Sequence, residues 1–200
     1  MGENVGQSAK GMFSAGWRGR IISFEPLSEA HRALTSAARG NVNWEVADRC
    51  ALGSTPGRTE INISRNSQSS SLLPMLHRHV EAAPQSAYIG KESIDVMTLD
   101  QALAGRPGGG TYLLKMDVQG FERAVLDGAK ETLRSTPIIF TEMSLQPLYG
   151  GEAGFADLSA HIMSLGYKCV SLTPAYIDDR TGEMLQVDGL FVSRTAEERF

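Results

Sequence analysis

The chain has 200 residues, 42% hydrophobic and 21% charged, with a net charge of −4 and a pI near 5.6. That composition describes one globular domain able to bury a core without disulfide or metal staples, and excludes a disordered chain. It also argues against a protein held on nucleic acid by phosphate neutralisation. Cys50 and Cys169 are too few for a disulfide framework or a Cys-rich zinc site. No apolar run approaches the roughly 20 residues that cross a bilayer. The start, MGENVGQSAKGMF, lacks a basic segment followed by an apolar one, so a reducing, cytoplasmic setting is expected.

In chain order, GENVG (2–6) is a G-x-x-x-G turn leading into a helix over QSAKGMFSAG. RIISFEP (20–26) reads as a buried strand, followed by a helix from Ser28 that stops at Gly40. NWEVADRCAL (43–52), TEINIS (59–64) and IDVMTL (94–99) read as three further strands. SRNSQSSS (64–71) and AGRPGGG (104–110) read as loops. TYLLKMD (111–117) is a strand ending in an acid, and Phe121, Val125, Leu126, Ala129 and Leu133 then share one helical face. IIFTE (138–142) is a second strand ending in an acid. Phe155, Leu158, Ile162 and Leu165 mark a helix with Gly166 as its C′ residue. YKCVSLT (167–173) and LQVDGLFVS (185–193) have no helical pattern between them and read as an antiparallel pair. Strands alternating with helices predict an α/β fold with a mostly parallel sheet, to which this pair is added.

In such a sheet ligands bind beyond the carboxyl ends of the strands. Glu25 ends the strand that follows the turn and helix, nineteen residues after Gly6, where a carboxylate accepts both hydroxyl protons of a ribose. The combination points to an adenosine ligand. A dinucleotide site would carry G-x-G-x-x-G, with its pyrophosphate at the helix N-terminus. Glu3 instead puts a negative charge there, which suits a sulfonium or amino group better than a phosphate. The C-terminal antiparallel pair also fits the methyltransferase variant of the sheet better than the dehydrogenase one. S-adenosylmethionine is therefore favoured over NAD.

GENVGQS, SFEP, TLD, LLKMDVQGFERAVLDGA, the IIFTE strand and VDGLFV together resemble the FkbM family of methyltransferases, in order from Gly2 to about Val192. The most specific piece is KMDVQGFERAVLDGA (115–129). The resemblance implies a class I, Rossmann-like methyltransferase fold and transfer of a methyl group to a hydroxyl of a small molecule or sugar. It implies that Gly2, Glu3, Asn4 and Gly6 line the methionine end of the cofactor and that Glu25 holds the ribose. It also gives weight to Ser69–Ser71 as part of a loop over the cofactor, although serine-rich loops are ordinarily solvated connections. Family members have a hydrophobic strand before the G-x-x-x-G turn, and here Met1 occupies its last position. The expectation is a single domain over 1–200, truncated at the N-terminus and lacking its first central strand. Exposed strand edges would then flank a gap.

Asp117 and Glu142 end adjacent strands in this reading, which puts two carboxylates on one rim. One acid could be a general base, its pKa raised by its neighbour and by burial. Alternatively, both could hold a Mg²⁺ ion that acidifies the acceptor hydroxyl. The bland alternative is that Asp117 caps the next helix. His77 and His79 read as solvated loop residues within reach of a substrate, and His31 and His161 as structural. Glu122 reads as a helix-dipole partner ahead of a substrate contact, Asp188 as a turn residue, and Tyr149 as a substrate-facing aromatic. Two other functions stay open: a nucleotide-dependent oxidoreductase, and an inactive remnant of the methyltransferase fold.

Overall fold

The computed structural model describes residues 1–106 and 110–197, so part of the 104–110 loop lies outside the described residues. The first helix, α1 (Gln7–Ser14), follows the glycine turn. Next come β1 (Ile21–Ser23) and α2 (Ser28–Ala38). α2 turns Ala30, Leu34 and Ala38 inward at helical spacing, and Leu34 and Ala38 pack with Ala9 and Trp44. The 43–52 segment is two strands, not one: β2 (Trp44–Val46) and β3 (Ala51–Leu52). β2 pairs parallel with β1, whereas β3 pairs parallel with β5 (Tyr88–Met97). Polar Asp48 and Arg49 mark the crossing between them, and Arg49 is held by Glu92 at 2.6 Å and the Pro26 carbonyl at 3.0 Å.

β4 (Gly57–Ser64) pairs antiparallel with β5 along its whole length. Between them run the serine loop, α3 (His77–Ala82) and a single 3₁₀ turn, Pro84–Ser86. After α4 (Leu99–Leu103) comes β6 (Leu113–Met116). The helix read over 121–133 is broken into α5 (Glu122–Asp127) and α6 (Lys130–Leu133). The break falls at Gly128, whose carbonyl accepts the Asp100 N–H at 3.2 Å. β7 (Ile138–Ser144), α7 (Phe155–Ser164), β8 (Tyr167–Ile177), β9 (Met184–Ser193) and α8 (Arg194–Glu197) complete the order. Gly166, at φ +95°, closes α7 as expected.

The sheets run β1–β2, β3–β5–β4 and β6–β7–β9–β8. Among the described residues three strand pairings are parallel and three antiparallel, so the structure is mixed rather than mostly parallel. The terminal β8–β9 pair is antiparallel, as its connection predicts. The principal core lies where α5 and α7 meet the four-stranded sheet, with Val125, Leu126, Ile139, Ile162 and Phe191 at or near complete burial. Residues Met1–Glu3 run between β1 and β6: the Met1 amine donates to the Lys115 carbonyl at 2.8 Å, and the Glu3 N–H to the Phe24 carbonyl at 3.2 Å. Among the described residues no helix is long and apolar enough to cross a membrane.

Candidate active site

Two cavities open at the carboxyl ends of β1, β3 and β6, and share a wall of Gly2, Asn4, Gln68, Asp117 and Gln119. The first is apolar on most sides, with Phe24, Leu27, Leu52, Ile61, Leu72 and Phe121 around Glu25. Glu25 is 4% exposed and its carboxylate is fixed by two backbone amides, Asn4 N–H on Oε2 at 2.8 Å and Leu27 N–H on Oε1 at 2.9 Å. Burial raises its pKa despite those two bonds. A carboxylate has about four lone-pair sites, so acceptor capacity remains for a ligand hydroxyl. Apolar walls around one hydrogen-bonding carboxylate are of a chemistry that suits a nucleoside. Cys50, on the same wall, has its thiol pushed up to about 11 by burial, which disfavours the reactive thiolate.

The glycine turn divides its labour. Gly2 has φ +65°, and a Cβ there would lie 1.8 Å from the Asp117 carbonyl oxygen, so the backbone passes β6 at a distance only glycine allows. Asn4 also has positive φ (52°), and its side-chain amide donates to Ser67 Oγ at 2.9 Å, tying the turn to the serine loop. Glu3 does not line the first cavity; its Oε1 accepts the Ala9 N–H at 2.9 Å and satisfies a free amide of the first turn of α1. Gly6 borders neither cavity: a Cβ there would meet the Trp44 ring at 2.7 Å, so its role is packing.

Asp117 and Glu142 do share one rim. β6 and β7 pair parallel with Met116 opposite Thr141, and the two acids are the next residues of each chain. Gln119 joins them, its Nε2 donating to Asp117 Oδ1 at 2.7 Å and to Glu142 Oε2 at 3.2 Å. Gln186 Nε2 donates to the same Glu142 oxygen at 2.7 Å. Burial, then the nearby charges of Asp117 and Glu122, push Glu142 up to about 8. These residues do not fit a Mg²⁺ ion. An amide N–H donor lies between the carboxylates, where a cation would need lone pairs.

Several side chains behave differently from their sequence reading. Glu122 does stand in the first turn of α5, as a helix-dipole partner would, but it is also buried, its Oε1 accepts the Val118 N–H at 3.0 Å, and burial pushes its pKa to about 7. It fixes the Asp117–Phe121 turn from inside. Asp188 is no turn residue but lies mid-strand in β9, opposite Glu142. Tyr149 is only 1% exposed and lines neither cavity; its hydroxyl donates to Gln119 Oε1 at 2.7 Å and lies 3.1 Å from the Ser69 carbonyl. The serine segment is only partly solvated: Arg65 and Gln68 are exposed, but Ser69 and Ser71 are buried, and Ser71 Oγ donates to the Gln119 carbonyl at 2.6 Å. His77 is exposed beside Glu81, but His79 is buried on α3 and lines the second cavity. Gln119 lies inside the 115–129 motif but has no titratable group to draw attention, and Gln186 is brought to Glu142 by the β7–β9 pairing.

Cavities at the carboxyl ends of the strands of a mixed α/β domain are the layout of a cofactor-dependent α/β enzyme. Residues 1–169 match the methyltransferase FkbM domain, and the chain belongs to that family. It is 28% identical over 163 residues to the 2-O-methyltransferase NoeI of Sinorhizobium fredii, covering 76% of this chain and 65% of that protein. Two solved structures, one described as a pericyclic reaction enzyme and one as LepI in complex with SAM, are similar at a TM-score of 0.47 and 11% identity. Each match covers 97% of this chain and 42% of the other.

Proposed function

We propose that the protein transfers a methyl group from S-adenosylmethionine to a hydroxyl of a small-molecule or sugar acceptor. The observation that carries this reading is the pair of cavities meeting at Asp117 and Gln119: one suited to an adenosine and one lined by a carboxylate of raised pKa. Family membership and the similarity to a 2-O-methyltransferase support it, and weigh against a nucleotide-dependent oxidoreductase.

In this reading Glu25 takes the ribose hydroxyls, while Gly2 and Asn4 border the methionine end. The bound cofactor supplies an electrophilic methyl on a sulfonium. The acceptor enters the second cavity and aligns its oxygen in line with that methyl. Glu142 takes the hydroxyl proton. Both amide donors reach its Oε2, so Oε1 is the atom offered to the acceptor. A pKa near 8 makes its carboxylate a far better base than an ordinary glutamate. Asp117 stands at the junction, beside the sulfonium position.

The test is calorimetry with S-adenosylhomocysteine and NADH in parallel, joined to a methyl-transfer screen with labelled cofactor. Binding of S-adenosylhomocysteine alone is expected, and NADH binding alone would overturn the reading. Asp117→Asn should abolish turnover while sparing affinity for S-adenosylhomocysteine. Full activity in that variant would remove Asp117 from the mechanism.

A further inference from the structure

The second cavity holds two polar groups that the reaction scheme leaves unused. His79, on α3, is 4% exposed, yet its Nδ1 has no hydrogen-bond partner among the described residues. The Tyr176 hydroxyl, on β8, is likewise buried without a partner. The two rings are 6.1 Å apart and tilted by 47°, and they do not bond to each other. Tyr149 packs edge-on against His79 at 5.1 Å and 86°, which helps to fix the imidazole plane. Buried polar groups are nearly always satisfied, so two orphans on one cavity wall mark a place where a ligand supplies the missing partners.

Resting on the proposed methyl transfer, we infer that His79 and Tyr176 form a hydrogen-bonding subsite that grips a hydroxyl of the acceptor other than the one methylated. The pair thereby sets which hydroxyl reaches Glu142. The rest of the lining defines what the subsite accepts. Asn66, Gln85, Ser86 and Gln186 are neutral donors and acceptors, Glu3, Asp117 and Glu142 are acids, and among the described residues no Lys or Arg lines the cavity. Burial also holds His79 down at about 4, so the imidazole is neutral at physiological pH and offers no cation. The acceptor is therefore a neutral polyhydroxylated molecule, and carboxylate- or phosphate-bearing acceptors are rejected.

The test compares wild type with His79→Phe and Tyr176→Phe, each close to isosteric and lacking the polar atom. The probes are methyl glycosides of neutral hexoses and 6-deoxyhexoses, set against glucuronate and glucose 6-phosphate. Labelled S-adenosylmethionine is the donor, and product regiochemistry is read by NMR. Wild type should methylate neutral probes only. Each variant should raise the acceptor KM about three- to tenfold, spread methylation over more than one hydroxyl, and leave S-adenosylhomocysteine affinity unchanged. The melting temperature should hold or rise by about 2–4 °C, because an unpartnered polar atom has been removed.

A purely structural role predicts the reverse, a lowered melting temperature with unchanged KM and regiochemistry, and that result overturns the subsite. Methylation of the anionic probes, or of no neutral probe by a wild type that binds S-adenosylhomocysteine, also overturns it. Failure of wild type to bind S-adenosylhomocysteine is a separate outcome: it overturns the methyltransferase reading, and the subsite falls with it.

Discussion

Gln119 is the side chain through which the two rim carboxylates communicate. Its amide gives both N–H bonds to acids and accepts the Tyr149 hydroxyl, and this is achieved at φ +52°, a conformation that costs a non-glycine residue about 1 kcal/mol. Gln119→Gly relieves that strain and deletes the amide. Glu142 then loses a hydrogen bond that favours its charged form. The acid limb of kcat should move to higher pH, and kcat at pH 7 should fall about tenfold, one pKa unit being a factor of ten in the basic form. A pH–rate profile that does not move would show the bridge to be irrelevant to the base. At this scale the sequence is legible where position alone decides. Asp117 and Glu142 each end a strand, and parallel neighbours bring such residues together whatever their partners. His79 and Gln119 were not legible: a six-residue helix is too short to show periodicity, and a neutral amide carries no chemical signature until its neighbours are known.

The serine segment between β4 and α3 lines both cavities and puts Gln68 in their shared wall, and one residue organises it. Asn66 Oδ1 accepts the Ser64 hydroxyl at 2.6 Å and the Ser69 N–H at 3.1 Å, while its Nδ2 donates to Ser69 and Ser86. Asn66→Ala removes all four bonds without touching the principal core. Stability should fall by only about 1–3 kcal/mol, the usual cost of stranding buried polar groups. Affinity for S-adenosylhomocysteine and the acceptor KM should both worsen, because Gln68 walls both cavities. Calorimetry and initial rates check this, and weakening of one ligand alone would deny the shared-wall role. Element reading from sequence succeeded for compact apolar runs such as Ile138–Phe140 and for the β8–β9 pair. It failed where tertiary pairing overrides local pattern. The 43–52 run changes sheets at Asp48–Arg49, and the first half of β5, YIGKES, is too exposed and polar to announce a strand that β4 nevertheless pairs.

At the scale of the molecule, the alternation of strand and helix announced an α/β domain but not its mixed pairing. β4 and β5 are separated by the 65–87 excursion, and long-range antiparallel pairing leaves no local trace. That assembly has an electrostatic consequence. Folding buries Glu142 and Glu122, raising them to about 8 and about 7 from an ordinary value near 4.5. An acid whose pKa is raised by folding favours the folded state when protonated. Its contribution is complete below pH 4.5 and disappears as pH climbs through 7 to 8. The melting temperature should therefore decline between pH 5 and pH 8.5. Glu142→Gln should lessen the decline over the whole interval and remove its share above pH 7, whereas Glu122→Gln should lessen only the part below pH 7, since a glutamine oxygen can still accept the Val118 N–H. Activity should run the other way, because the carboxylate form of Glu142 is the base and its population grows across the same interval. The protein would then be most active where these two acids hold it least firmly. Differential scanning fluorimetry of wild type and both variants, beside kcat over the same buffers, measures both slopes. Parallel melting curves for wild type and Glu142→Gln would mean that Glu142 stays ionised in the fold, and the base assignment would lose its pH argument.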